Sequence, residues 1–304
     1  MIRINSRARN GCLALAIALA ASFAVAQADE AGNADLKTEV ARVRQVGPAE
    51  VVLRDQAKLK LPEGTMFVPQ PTANKILTAM GNRGDDRVIG LIYPLKDDQN
   101  WAMVAEYEAA GYIKDDDARD WNADELLKSL KEGTAAANEE RTKAGFPALE
   151  VTGWAEKPLY EAQSHRLVWA ATAVHPGATG EPAVVNYNTY ALGREGYISL
   201  NLLTDSQALV TDKVHARDML SRLEFVEGKR YADFDGKTDR VAEYGLAALV
   251  AGVAAKKLGL LAVIGVALLK FWKLGLIALA GIGSGLPWLR KRFGKHDNGV
   301  KPEA

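Results

Sequence analysis

Apolar residues concentrate at two places in this chain, residues 12–26 and 245–289, and the long stretch between them alternates apolar with polar positions. In that middle, residues 34–46 read as a short helix or a mobile leader. Residues 51–53, 57–61 and 66–68 carry apolar side chains with strand-like patterning, and residues 62–65 read as a turn. Thr72 can cap a helix running to Met80, with Gly81 ending it, and residues 81–86 read as a loop. Residues 87–93 and 101–107 predict a strand pair. A helix is predicted over 122–144, with Leu126, Leu127 and Leu130 on its apolar face.

From residue 147 the period changes to two. Residues 148–154, 166–174, 183–192 and 197–204 predict strands, and the turns at 175–182 and 193–196 join the last three into an antiparallel meander. A helix over 205–223 and a closing segment from Phe225 to Phe234 complete the pattern. Strands with a few helices laid on them predict an α+β domain, mainly antiparallel, spanning residues 29–243. A weak boundary is expected near residues 145–147. No internal repeat or low-complexity linker is present.

The two apolar runs change the picture from fold to location. Arg3, Arg7 and Arg9 precede the first run, and small residues stand at Ala24, Ala26 and Ala28, so residues 1–28 read as a secretory signal peptide cleaved after Ala26 or Ala28. That run has about 15 residues, where a span needs about 20. The second run is broken by Lys256, Lys257, Lys270 and Lys273 and closed by Arg290, Lys291 and Arg292. Residues 244–290 therefore read as a membrane anchor in one of three arrangements: a span over about 258–286, a span over 245–269, or two short helices in a hairpin or in the interface. One net crossing agrees with the basic cluster from Arg290 to Lys295 lying inside. Gly265, Gly275, Gly281, Gly283 and Gly285 would allow close helix packing and self-association.

Charge separates the parts further. Residues 29–243 hold 26 basic and 36 acidic side chains, a net of −10, although the whole chain is neutral. That sign repels phosphates, so no nucleic-acid partner is expected, while the basic C-terminal segment suits anionic membrane lipid. Cys12 is the only cysteine, which excludes disulfides and thiolate chemistry from the mature domain.

Candidate chemistry is sparse. Asp115, Asp116 and Asp117 form the densest acidic run, and Asp115 with Asp117 could ligate Ca²⁺, although the glycine and terminal glutamate of a helix–loop–helix calcium site are missing. A solvated loop whose Asn122 or Asp124 caps the next helix is the competing reading. His165 with Asp117 is the candidate acid–base pair for a hydrolase; His175 and His215 are the other histidines of the domain. No nucleophile elbow or zinc-helix motif accompanies them. Asn186, Asn188 and Tyr190 share one strand face, which could line a groove or simply meet water. Arg194 could take an anion or close a salt bridge. The glycines around Gly81 and Gly84 read as a turn, not a phosphate loop. No cofactor is assigned.

Several short motifs stand along the domain: Leu61, Pro62 and Gly64; Gly81 and Asn82; Gly111 through Ala118; Asn138 and Arg141; Gly153 and Trp154; Asn186 through Asn188; Leu192 through Arg194; Gly228, Arg230, Tyr231, Asp233 and Phe234; Asp239, Val241, Ala242, Tyr244 and Gly245. As a set they resemble a bacterial family of membrane-anchored envelope proteins catalogued as a domain of unknown function. The resemblance implies a periplasmic domain held at the inner membrane, with the C-terminal tail in the cytoplasm, and implies no activity. Three functions follow as expectations: a non-catalytic interaction or envelope-maintenance module with a membrane-protein partner, an envelope hydrolase, or a ligand-binding module built on the 183–204 strands.

Overall fold

The computed structural model describes residues 29–79, 85–96, 99, 101–143, 147–177, 180 and 182–251. The signal peptide, the turn around Gly81 and Gly84, and nearly all of the expected anchor and basic tail lie outside the described residues. Among the described residues, no helix is long and apolar enough to cross a membrane.

In chain order the elements are α1 (Asp29–Val43), β1 (Gln45–Val46), β2 (Ala49–Leu53), β3 (Ala57–Leu61), β4 (Thr65–Pro69), α2 (Thr72–Ala79), β5 (Val88–Pro94) and β6 (Ala102–Glu108). After a 3₁₀ turn over Asp116–Arg119 come α3 (Ala123–Lys143), β7 (Glu150–Glu161), β8 (Arg166–Val174), β9 (Val184–Leu192), β10 (Tyr197–Asp205), α4 (Leu209–Ser221), β11 (Leu223–Phe225) and α5 (Leu246–Ala251). Eight strands form one antiparallel sheet in the order β1-β4-β5-β6-β10-β9-β8-β7, and β11-β3-β2 form a second, smaller one.

Alternation fixes which side of the large sheet each residue serves. Met103, Ala105, Ile198, Leu200, Leu202, Val185 and Tyr187 face α4 and the small sheet, whose Leu53, Leu59 and Leu61 point inward while Lys58 and Lys60 are exposed. The opposite face carries two separate apolar clusters. One packs Val68, Leu91, Val104 and Leu203 against Ile76 and Leu77 of α2 and Val40 of α1. The other packs Trp169, Ala171 and Leu192 against Leu126 and Leu130 of α3 and Leu246, Leu249 and Val250 of α5. The result is three layers with both faces of the central sheet covered, an α+β arrangement.

The boundary expected near residues 145–147 does not divide the domain. β6 pairs with β10 along seven residues, from Tyr197 opposite Glu108 to Leu203 opposite Ala102, so one sheet joins both halves. Two motif residues explain the passage across that point. The Asn138 amide clamps the backbone of Leu149, donating to its carbonyl at 2.8 Å and accepting its N–H at 2.9 Å. Arg141 is buried beside it and donates to the Pro147 carbonyl. Together they fasten the end of α3 to the start of β7.

Candidate functional site

The seam between the two apolar clusters is polar. Three cross-strand rows run over β6, β10, β9 and β8 on that sheet face. In the central row Val104, Asn201, Asn188 and Trp169 stand side by side. In the row next to it stand Glu106, Ser199, Tyr190 and Leu167, and on the other side Ala102, Leu203, Asn186 and Ala171. Asn186, Asn188, Tyr190, Ser199, Asn201 and Trp169 are each at most 2% exposed.

Most of these groups are not satisfied by the protein. Among the described residues, five buried polar atoms of this patch have no hydrogen-bond partner: Glu106 Oε1, both amide atoms of Asn186, Asn188 Oδ1 and Asn201 Oδ1; the Trp169 indole N–H is directed at the Tyr190 hydroxyl. The Asn188 amide nitrogen does donate, to the Asn186 carbonyl at 3.1 Å. An unmet buried polar group costs about 1–3 kcal/mol, and native folds hold only a few, so five on one face make this seam the candidate polar site of the domain.

Glu106 stands at the margin of the patch. Burial pushes its carboxyl up to about 7, while the nearby Arg87 guanidinium and the Ser199 hydroxyl oppose the rise and Asp85 and Glu108 add to it. Arg87 itself is engaged by Asp85 at 2.7 Å and by Glu108 at 3.5 Å. Burial also raises Tyr190, which meets Tyr197 edge-on at 5.5 Å. Asn186, Asn188 and Tyr190 thus share a face as their spacing predicts, but that face is inside the domain.

A second group lies at the far end of β7 and β8. Tyr160 donates to Asp115 Oδ2 at 2.7 Å, and its oxygen lies 3.1 Å from His165 Nδ1. With the Tyr160 proton committed to Asp115, the phenol oxygen accepts from Nδ1–H, which leaves Nε2 as the unprotonated nitrogen. The His165 backbone is in the left-handed region at φ 52°, unusual for a non-glycine residue, and its ring stacks on Tyr231 at 4.0 Å. Burial lowers the His165 pKa, with Asp115 opposing, so the neutral imidazole is favoured.

The partner of His165 is therefore Asp115, not Asp117. The 3₁₀ turn that begins after Asp115 sends the two carboxylates apart. Asp117 accepts the backbone N–H groups of Leu246 at 3.1 Å and Ala247 at 2.9 Å, capping α5. Asp115 and Asp117 consequently serve different neighbours and do not converge on one point. Among the described residues no three His, Cys, Asp or Glu side chains gather as a metal site would require. Removing the cap by Asp117→Ala is expected to cost about 1–2 kcal/mol, read as a lower urea midpoint with an unchanged slope.

The remaining candidates have structural partners. Asn122 accepts the N–H groups of Asp124 and Glu125 at the start of α3. Arg194 makes a two-pronged pair with Asp239 at 2.7 and 2.8 Å, tying the β9–β10 turn to the chain that follows Phe234. Tyr112 stacks on Phe234 at 3.8 Å and lies 4.4 Å from Tyr231, so the motif residues of that segment form one aromatic knot. His215 stacks on Trp101 at 4.9 Å on the opposite sheet face, and His175 Nδ1 is 3.0 Å from the Ala148 carbonyl. Glu106, Ser199, Asn201 and Trp169 were not singled out from sequence as one site. Polar residues at alternate positions on otherwise apolar strands are the signal that could have found them.

Fold and patch together define a three-layer α+β domain with an internal polar seam. The chain belongs to the family described as "Protein of unknown function (DUF2167)", which matches residues 45–280. None of the curated proteins matches it in sequence. Among solved structures it is similar to the solution structure of cyanobacterial PsbP (CyanoP) from Synechocystis sp. PCC 6803, at 12% identity and a TM-score of 0.36, over 60% of this chain and 91% of that one. Similarity at that level carries no argument about function.

Proposed function

We propose that this protein is a membrane-held binding module that encloses a small polar ligand between its central sheet and the helices packed on it. The observation that carries the reading is the run of unpaired buried polar atoms over β6, β10, β9 and β8. The signal-like N-terminus and the apolar, basic C-terminal segment support placing the domain outside the cytoplasmic membrane with its anchor in lipid. A membrane-protein partner or self-association through the anchor fits the same arrangement.

Native mass spectrometry of the full chain purified in mild detergent tests the binding role. A retained non-covalent adduct that disappears in Asn188→Leu/Asn201→Leu supports it. A bare mass from the wild type across several preparations would remove it. Reporter fusions after Tyr244 and after Ala304 test the location: outside at the first and inside at the second is expected, and an inside signal at Tyr244 would refute it.

The same double variant makes a stability prediction. Exchanging two amides whose oxygens are unmet for apolar groups of similar size, at the loss of the one Asn188 bond to the Asn186 carbonyl, is expected to leave the ligand-free protein within about 2 kcal/mol of the wild type. A loss of more than about 2 kcal/mol in chemical denaturation would show that the amides serve the fold.

A second reading rests on the His165–Tyr160–Asp115 chain, whose strained backbone and neutral imidazole suit proton transfer in a hydrolase. Under it, His165→Gln is expected to abolish rescue of a deletion phenotype at normal protein abundance. Full rescue by that variant would set the enzyme reading aside.

A further inference from the structure

We infer that the root of the C-terminal apolar run controls His165: docked on the domain, α5 sets residues 111–118, and those residues set the imidazole. The inference rests on the second reading above only for what the His165 group does, and it names what governs that group. Leu246, Leu249 and Val250 open the apolar run of residues 245–289, yet they are fully buried beside Leu126, Leu130 and Trp169. This root is laced to residues 111–118 at two places. The Tyr112 N–H donates to the Arg240 carbonyl at 2.8 Å, and the Ala242 N–H donates to the Tyr112 carbonyl at 2.8 Å. Asp117 then accepts the N–H groups of Leu246 and Ala247, and a methyl carbon added at Gly245 would stand 2.5 Å from Asp117 Oδ2.

The other side of the same residues holds the imidazole, again at two places. Asp115 takes the Tyr160 proton, which leaves the phenol oxygen to accept from His165 Nδ1–H. The Ile113 carbonyl accepts from the Tyr231 hydroxyl at 2.8 Å, and the Tyr231 ring is the one that stacks on His165. Asp115 and Asp117 stand two residues apart at one short 3₁₀ turn, closed by the Ala118 N–H on the Asp115 carbonyl at 3.2 Å. A displacement at Asp117 therefore reaches Asp115 through the backbone alone. Held in this way, His165 carries its proton on Nδ1 and keeps Nε2 basic; an imidazole without such a hold favours the Nε2–H form. The result is a conformational device: displacing α5 from the domain removes the basic Nε2 that proton transfer at this group requires.

The test is the His165 tautomer, read by long-range ¹H–¹⁵N correlation of the histidine-labelled full chain in mild detergent at about pH 8, where a lowered histidine is neutral. The chain has four histidines, and His165→Gln identifies the signal. The wild type is expected in the Nδ1–H form. Asp117→Ala, which removes the acceptor at α5, and Gly245→Ala, which pushes the Asp117 carboxylate aside, should each lower the ratio of Nδ1–H to Nε2–H about fivefold or more. Asp117→Asn keeps an acceptor oxygen and should restore the wild-type ratio. Asp205→Ala removes the acceptor of the Gln207 and Ala208 N–H groups ahead of α4, on the other face of the sheet, and should lower the urea midpoint without moving the ratio. A wild-type ratio in either Asp117→Ala or Gly245→Ala would overturn the inference. So would an equal shift in Asp205→Ala, which would mean general loosening, or a wild type in the Nε2–H form. Full rescue of the deletion phenotype by His165→Gln is a separate result: it sets aside the enzyme reading and leaves the coupling of α5 to the tautomer standing.

Discussion

Gly196→Ala is expected to cost about 3 kcal/mol or more and to disturb the candidate site although it lies outside it. A methyl group at this position would stand 1.9 Å from the Glu108 carbonyl oxygen, 2.9 Å from its carbon and 3.0 Å from the Ala110 nitrogen. All three are backbone atoms, so no side chain can swing away, and relief requires the strands to part. The strands concerned are β10 and β6, where Tyr197 pairs with Glu108. Parting them shifts Ser199 and Asn201 relative to Glu106, so ligand retention should fall with stability. Gly153→Ala is the control: nothing lies within 4 Å of the added carbon in the middle of β7, and the change should be near neutral. Equal destabilisation of the two variants by urea would contradict the close-approach argument.

Glu106 should dominate the pH dependence of stability between about pH 4.5 and 7. Its carboxyl holds a proton more tightly in the folded protein, where burial pushes it up to about 7, than in the unfolded chain, near 4.5. A raised carboxyl contributes full stability at low pH, where both states are protonated. It loses that contribution as pH rises through the window, because the folded state must then bury a charge. The difference corresponds to about 3 kcal/mol, since each tenfold in proton affinity is about 1.4 kcal/mol. Other groups act in the opposite sense. Asp239, held down to about 2 by Arg194, contributes stability above the ordinary carboxylate range and loses it as pH falls. His165, lowered by burial, loses its contribution as pH falls below the ordinary histidine range. The comparison that isolates Glu106 is therefore wild type against Glu106→Gln. The variant should gain on the wild type by about 3 kcal/mol between pH 4.5 and pH 8. Parallel curves across that range would mean that the carboxyl reaches water.

Local pattern made much of this protein legible. The β8–β9–β10 meander, the β5–β6 pair, α2 and α3 follow from period-two and helical spacing, because each depends on neighbours in the chain. The long-range β6–β10 pairing does not, because register between strands some 90 residues apart leaves no local mark. The weak boundary near residues 145–147 failed for that reason. A loop flanked by different patterns looks like a domain break until the sheet that spans it is known.

The site divides the same way. Period two alone put Asn186, Asn188 and Tyr190 on one face. Whether that face met water or a second layer was undetermined, since polar residues ordinarily mark a solvent face. The helices packed around the face made it interior, and β6 and β8 brought Glu106 and Trp169 beside it. Asp115 was separated from Asp117 by a single 3₁₀ turn, a distinction of backbone direction that residue type does not carry. Sequence by itself determined most of the strands and helices, the acidic charge of the domain and its polar alternation. Only the tertiary structure decided that the alternation is buried and unpaired, because burial is a property of what covers a face and not of the residues on it.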